Sequence, residues 1–104
     1  MVNVTDDQFN EIVNAPGKYL VLFSAEWCAP CKVLKPQLEL VEKQFTEKYK
    51  FLRADIEINI SNTRKFGIKN IPTVVLIEDG KEITRFVGSK NPLQIIKILE
   101  EFSN

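Results

Sequence analysis

The chain has 104 residues, of which 44% are hydrophobic and 27% charged, and this composition excludes disorder, low-complexity repeats and a second core of ordinary size. Its 14 basic side chains balance 14 acidic ones at a formal net charge of +0. A neutral chain lacks the uniform positive field that nucleic acid or an anionic membrane selects, so neither is expected as a partner.

The apolar segments and the cysteine count bear on location and chemistry. The longest apolar runs, Tyr19 to Phe23 and Thr73 to Ile77, are far shorter than the roughly 20 residues of a membrane helix. The polar start over residues 3–10 lacks the basic and then apolar layout of a signal peptide. We therefore expect a cytoplasmic monomer with one domain over residues 1–104. The chain has 2 cysteines and 0 histidines, which excludes histidine-based acid, base and metal chemistry.

Strands and helices alternate in the first half of the chain. A short apolar start at Val2 and Val4 precedes a helix for which Thr5 is a good N-cap. The continuously apolar run 19–23 predicts a central strand that is covered on both faces. Apolar side chains at helical spacing from Leu34 to Phe45 predict a long amphipathic helix.

The second half predicts a strand, a weak helix and a closing hairpin. The strand covers Phe51 to Asp55 and the helix covers Asn59 to Phe66. Two runs, Thr73 to Ile77 and Glu82 to Val87, flank the turn Asp79-Gly80 and predict an antiparallel pair.

A last helix completes the predicted fold. Asn91 and Pro92 form its start signal, and the expected apolar stripe consists of Leu93, Ile96, Leu99 and Phe102. Because strands that alternate with helices pair in parallel and the hairpin adds an antiparallel edge, we expect an α/β fold. The prediction is a central mixed five-stranded sheet flanked by four helices on both faces.

The most distinctive motif is Cys28-Ala29-Pro30-Cys31, which follows the first central strand and opens the long helix. Side chains three residues apart in a helical turn lie roughly 5–6 Å apart, so the two thiols can form a disulfide. Unpaired amides and the positive end of the helix dipole lower a cysteine pKa into a range of about 3.5–7.5. Because Cys28 lies at the very N-terminus of the helix, its pKa is expected to be lowered most. Pro30 costs little hydrogen bonding, since first-turn amides have no intrahelical acceptor.

Two segments, residues 25–32 (AEWCAPCK) and 67–73 (GIKNIPT), resemble the thioredoxin family, and the resemblance extends over nearly the whole chain. A C-x-x-C motif beside a βαβ pattern is the recognised signature of thioredoxin-like proteins. Trp before the motif, Pro inside it, Lys after it and Ile-Pro-Thr about 40 residues on make the combination specific. The resemblance implies the thioredoxin fold.

The resemblance also implies an activity, that of a thiol–disulfide oxidoreductase. The Cys28 thiolate attacks a disulfide in a partner protein, and Cys31 then attacks Cys28 to release the reduced partner. Each cycle carries two electrons and serves cellular redox homeostasis. In the family, thioredoxin reductase, an NADPH-dependent flavoenzyme, restores the dithiol, so the chain is expected to bind no cofactor of its own.

A docking loop is implied as well. Pro72 is expected to follow a cis peptide bond and to pack beside the disulfide, with the Ile71 backbone pairing with an extended client segment. The residues that the resemblance assigns to shaping the site and docking clients are Trp27, Ala29, Pro30, Ile71, Pro72 and Gly88.

The chain departs from the family behind the motif. Leu22 occupies the position of a buried aspartate thought to relay a proton to the resolving cysteine, and Arg53 that of its usual lysine partner. Ser24 stands where many members have a second tryptophan, and Ala29 where glycine is usual. We hypothesise that Glu26 or water serves Cys31 instead.

Other interpretations of the cysteine pair stay open at this point. The pair could be a static bridge or, in a dimer, could supply four thiolates to zinc. The chain could also be a binding module that uses the docking surface inside a larger assembly without turnover. An oxidant or isomerase is less favoured, because such relatives generally carry histidine in the motif and a secretory signal. Both cysteines together with Pro72 favour the reductase.

Overall fold

The apolar runs form the strands of one sheet, and the amphipathic segments form the helices around it. The computed structural model describes residues 1–103 and confirms the predicted order of elements. The strands are β1 (Val2–Asn3), β2 (Lys18–Ser24), β3 (Lys50–Asp55), β4 (Thr73–Glu78) and β5 (Lys81–Val87). The helices are α1 (Asp6–Val13), α2 (Ala29–Phe45), α3 (Ile60–Lys65) and α4 (Pro92–Glu101).

The sheet is mixed, as predicted, with strand order β1-β3-β2-β4-β5. The parallel pairs are β1 with β3 and β3 with β2, whereas β4 runs antiparallel to both β2 and β5. Asp79 and Gly80 close the hairpin with φ angles of 51° and 83°, the left-handed conformation that a two-residue hairpin turn requires. The register places Leu22 of β2 opposite Arg53 of β3.

Two apolar layers explain why β2 is apolar at every position from 19 to 23. Leu20 and Leu22 point into a cluster with the buried face of α2 and α4, while Val21 and Phe23 point into a second cluster with α1. Alternate side chains of a strand point to opposite faces, so a strand with helices on both sides needs an unbroken apolar run. All of these β2 side chains are buried.

Local capping fixes where α1 and α4 begin. In α1 the Thr5 side chain accepts from the Gln8 amide and the Gln8 side chain accepts from the Thr5 amide, a complete capping box. Asn91 and Gln94 form the same arrangement at α4. These bonds satisfy amides that a helix start otherwise leaves without partners.

The start of α3 is capped from a distant segment. Its own N-cap residue, Asn59, makes no side-chain capping bond. Instead the carboxylate of Asp6 accepts from the backbone amides of Ser61 and Asn62, each at 3.0 Å. Burial alone raises the pKa of Asp6, but the hydrogen bonds from Asn62 and Ser61 together outweigh it and leave this pKa below its ordinary value. The contact ties α1 to α3.

Helix α2 confirms the predicted stripe, since its buried side chains are Cys31, Leu34, Leu38, Val41 and Phe45. The helix runs for 17 residues and contains Pro36. No helix within residues 1–103 is both long and apolar enough to cross a membrane.

The predicted stripe of α4 is wrong at Leu93 and misses Ile95. Ile95 and Leu99 are buried, whereas Leu93 is 78% exposed and Ile96 is only half-buried. At about 100° per residue, Leu93 and Ile95 are separated by about 200° and cannot share one face. Apolar residues surround most of this helix, so periodicity alone could not select the face that packs.

Candidate active site

The two cysteines are joined by a disulfide at the start of α2, with a Cα–Cα distance of 5.3 Å. Cys28 is the N-cap residue of the helix, and its Sγ accepts a hydrogen bond from the Cys31 amide at 3.3 Å. Both residues are buried, with exposures of 5% and 3%. When the disulfide opens, the helix amides and the helix dipole favour a thiolate on Cys28. Pro30 lies in the first turn, where a missing amide costs no helical bond.

The docking loop lies beside the disulfide. The Ile71–Pro72 peptide bond is cis, as the resemblance predicts. The carbonyl oxygen of Ile71 lies 3.9 Å from the Sγ of Cys28, and Ile71 packs against the disulfide. The Gly88 amide donates to the Pro72 carbonyl oxygen at 2.8 Å, and its φ of 86° is readily adopted only by glycine. Gly88 thus joins the end of β5 to the loop.

Trp27 forms an exposed wall next to the cysteines. Its side chain is 66% exposed, an unusual exposure for so large an aromatic residue. Its indole Nε1 donates to the Glu57 carboxylate at 3.1 Å, which holds the ring over the loop after β3. The ring therefore adds exposed apolar surface next to Cys28 in the chain.

An apolar cluster surrounds Leu22 of β2. Leu22 is fully buried in the cluster that also contains Leu34 and Leu38 of α2. The position that a proton-accepting aspartate takes in relatives therefore belongs to the hydrocarbon core. A leucine side chain neither accepts a proton nor requires a partner.

Arg53 brings a buried positive charge close to this region. The residue is 9% exposed, and its Nη2 lies 3.4 Å from Glu26 Oε1 and 3.9 Å from Asp55 Oδ2. The carboxylate of Glu26 is 80% exposed, so the pair joins a buried cation to a group in contact with solvent. Arg53 therefore faces carboxylates from β3 and from the loop before α2.

A cavity of about 250 Å³ connects these groups. Cys31, Glu26 and Arg53 all line it, together with Ser24. Cys28 does not belong to its lining, so of the two cysteines only Cys31 borders the cavity. Glu26 and Cys31 share this cavity but no direct hydrogen bond between them is found in the described part of the chain.

Sequence reasoning named these residues but did not find the cavity or the ion pair between Arg53 and Glu26. The inward orientation of Arg53 could have been predicted from its position in β3. It lies two residues after Phe51 in β3, so it points to the same inward face as that buried ring. The contact with Glu26 depends on the register between β2 and β3, which the sequence pattern does not fix.

Comparison with known proteins agrees with this geometry. Residues 1–101 match the sequence model of the thioredoxin family. Thioredoxin of Chlamydia muridarum is 38% identical over 98 residues, covering 94% of each chain. Thioredoxin of Pseudomonas aeruginosa is 36% identical over 101 residues, covering 96% of this chain and 94% of its own. Thioredoxin of Buchnera aphidicola is 32% identical over 105 residues, covering 100% of this chain and 97% of its own.

Proposed function

Because the chain belongs to the thioredoxin family and is a thiol–disulfide oxidoreductase, we propose that it reduces disulfides of cytoplasmic client proteins through Cys28 and Cys31. One observation carries the proposal. Cys28 caps α2, is bonded to Cys31 and lies beside the cis-proline loop. The helix start makes a cysteine nucleophilic, and the loop beside Cys28 offers its backbone to an extended client segment.

In the first half of the cycle, Cys28 is the nucleophile. A client segment pairs with the backbone of Ile71, whose carbonyl oxygen lies 3.9 Å from the Cys28 Sγ, and this places a client disulfide next to the nucleophile. The thiolate attacks one client sulfur and a mixed disulfide forms, while the other client sulfur leaves with the electron pair. Trp27 and Gly88 border the path of the client.

In the second half of the cycle, Cys31 is the resolving residue. Its thiol must lose a proton before it attacks Cys28, yet Cys31 is 3% exposed, and position 22 of β2 holds leucine rather than a carboxylate. Desolvation disfavours the thiolate. We assign the proton to Glu26 or to water in the shared cavity, because that cavity joins Cys31 to a carboxylate that reaches solvent.

Regeneration needs an external donor of two electrons. A thioredoxin reductase, a flavoenzyme that uses NADPH, supplies them in this proposal, and the chain itself holds no cofactor. A monomer of this kind transfers electrons to many clients, because main-chain docking makes few demands on client sequence. Its cellular role is to maintain redox homeostasis.

Reduction of insulin disulfides by dithiothreitol tests the proposal. The parent protein is expected to accelerate precipitation of the insulin B chain, and the Cys28→Ser variant is expected to give the uncatalysed rate. The unfolding curve of Cys28→Ser, which lacks one sulfur at the helix start, is compared with that of the parent protein to check that the variant folds. No acceleration by a parent protein whose disulfide is reducible overturns the general reductase and leaves a binding role in a larger assembly.

A further inference from the structure

The indole of Trp27 and the carboxylate of Glu57 carry an inference that rests on the exchange chemistry proposed above. We propose that Glu57 is a positioning residue that holds Trp27 as a fixed apolar wall, and that this wall makes the protein prefer clients with an apolar side chain beside the reacting disulfide. Three observations carry the proposal: a restrained loop, a hydrogen bond that occupies the polar end of the indole, and the exposure of the ring.

The loop that presents Glu57 is restrained by Asp55, the last residue of β3. The Asp55 carbonyl oxygen accepts from the amides of Ile58 at 3.0 Å and Asn59 at 2.7 Å, and its Oδ1 accepts from the Glu57 amide at 2.9 Å. Asp55 and Asn59 are both buried. Three hydrogen bonds to one buried residue restrain the backbone on both sides of Glu57, so its carboxylate extends from a defined point.

The same loop packs on the active site. The Ile56 amide donates to the Ser24 carbonyl oxygen at 2.9 Å, and Ile56 packs against the cluster of Ala25 and the two cysteines. Glu57 follows directly in the chain. Its backbone is therefore placed relative to the disulfide by the buried part of the site.

The hydrogen bond occupies the only polar atom of the Trp27 side chain. The indole Nε1 donates to Glu57 Oε1 at 3.1 Å. Because an indole has one N–H donor and no acceptor, the ring has no hydrogen-bonding group left for a client. The side chain is nevertheless 66% exposed. Trp27 therefore offers apolar ring surface to a docked segment, and this surface favours an apolar client side chain over a polar one.

Restraining the ring before a client arrives favours the reaction. A large exposed side chain that moves freely loses that freedom when a client packs on it, and this loss weakens binding. A hydrogen bond to a carboxylate is stronger than one between neutral groups, so Glu57 restrains the indole in the free protein. Since Trp27 directly precedes Cys28 in the chain, the restrained surface lies beside the nucleophile.

Two small peptides test the preference with the complete chain. Each carries one cysteine joined to 5-thio-2-nitrobenzoate, with leucine on both sides of the cysteine in one peptide and glutamine in the other. The Cys28 thiolate of the reduced protein attacks the peptide sulfur, a mixed disulfide forms, and coloured thionitrobenzoate leaves with the electron pair. Its release gives the second-order rate constant. The same peptides with 2-mercaptoethanol give the intrinsic ratio of rates.

We expect the parent protein to prefer the leucine peptide by about fivefold beyond that intrinsic ratio, the effect of removing part of a leucine side chain from water. Glu57→Ala is expected to lower this preference by about threefold, because the ring is no longer restrained. Glu57→Gln keeps an acceptor oxygen and should retain the preference. Glu47→Ala, which removes an exposed carboxylate just after α2, should also retain it.

Trp27→Phe separates the hydrogen bond from the charge of Glu57. Phenylalanine keeps a ring but has no N–H, so adding Glu57→Ala to Trp27→Phe should leave the ratio of the two rates unchanged. Because Trp27 is the only tryptophan in the chain, fluorescence anisotropy reports directly on its ring. The anisotropy is expected to fall in Glu57→Ala and to stay close to the parent value in Glu57→Gln.

A parent protein without preference for the leucine peptide overturns the proposal, as does a preference or an anisotropy that Glu57→Ala leaves unchanged. Equal losses in Glu57→Gln and Glu57→Ala also overturn it, because the charge rather than the hydrogen bond would then act. Insulin turnover separates this failure from failure of the reductase. Turnover without the preference overturns only the role of Glu57 and Trp27, and the preference without turnover overturns only the proposed function.

Discussion

Leu22 and Arg53 lie opposite each other across the parallel strands β2 and β3, so a hydrocarbon side chain is the direct neighbour of a buried cation behind the active-site disulfide. In the family this pair of positions usually holds an aspartate and a lysine. Here the positive charge is kept and the proton acceptor is lost. The consequence falls on Cys31, which is 3% exposed and whose thiol must deprotonate without a carboxylate at position 22.

Leu22→Asp restores a proton acceptor, and we expect it to raise insulin turnover by about tenfold. This is a small part of the about 10²–10⁴-fold rate increase that a positioned general base contributes. The buried carboxylate also lowers the free energy of unfolding by about 1–3 kcal/mol, although Arg53 limits the loss. Turnover and urea unfolding measure the two effects. Leu22→Asn is the matched control, since it is polar but takes no proton; an equal gain in both variants would show that proton transfer is not the limit.

Glu26→Gln tests the proton route through the cavity. If the Glu26 carboxylate accepts the proton of Cys31, the variant lowers turnover near neutral pH. The rate of insulin reduction at neutral pH measures the change. Glu47→Gln, at an exposed carboxylate outside the cavity, is expected to keep the parent rate. An unchanged rate in Glu26→Gln assigns the proton to water alone.

Much of the fold could be predicted because its signals are local. The apolar run over residues 19–23 marks a strand covered on both sides, and Thr5 and Asn91 mark helix starts through bonds three residues away. The cysteines of the site carry their own signature. What depends on packing was missed, as in α4, where Leu93 was expected in the core and is exposed.

The other features that could not be predicted depend on contacts between residues that are far apart in the chain. The carboxylate of Asp6 caps α3 from 55 residues away, and no local sequence pattern indicates this contact. The contact between Glu26 and Arg53 likewise depends on strand register. Residues far apart in the chain leave no periodic pattern, so such contacts become visible only when the strands and helices are assembled.

The cap of α3 predicts a pH dependence of stability. The folded-state pKa of Asp6 lies below its unfolded value of 3.8, so the stabilisation is fully present above that value and is lost as pH falls through the folded pKa. Asp6→Asn keeps one acceptor oxygen but loses the charge and the second acceptor, so it is expected to lower the free energy of unfolding at neutral pH by less than the about 0.5–2 kcal/mol that loss of a whole cap costs. Urea unfolding should show the difference from the parent shrinking as pH falls below 3.8 and through the lowered folded-state pKa of Asp6. Asp7→Asn, its neighbour on the same helical turn, should show a smaller effect.

Tyr49 predicts a second pH dependence, at the alkaline end. Its hydroxyl donates to the Leu99 carbonyl oxygen at 2.8 Å, and burial, with a contribution from Glu78, raises the pKa of Tyr49 to about 12. Stability from this group is present below the unfolded pKa of 10.0 and is lost as pH rises through about 12. Tyr49→Phe should cost about 1–2 kcal/mol at neutral pH, because the carbonyl loses its partner, and should remove this alkaline loss.

Thermal unfolding between neutral pH and about pH 11 measures the alkaline effect. Tyr19→Phe is a matched control, since the Tyr19 hydroxyl donates to the Ala15 carbonyl oxygen at 3.0 Å in a part-buried position. We expect a smaller cost there. Equal losses in the two variants would contradict the role given to the Tyr49 hydrogen bond.

The assignment of nucleophile and resolving cysteine is tested most directly by trapping a client. Cys31→Ser and Cys28→Ser are each mixed with insulin, and intact mass detects a covalent adduct with the protein. The account predicts a lasting mixed disulfide in Cys31→Ser, because Cys28 attacks and nothing resolves it, and none in Cys28→Ser, because the cysteine that attacks clients is absent. An adduct in Cys28→Ser but not in Cys31→Ser would reverse the two roles and contradict the account.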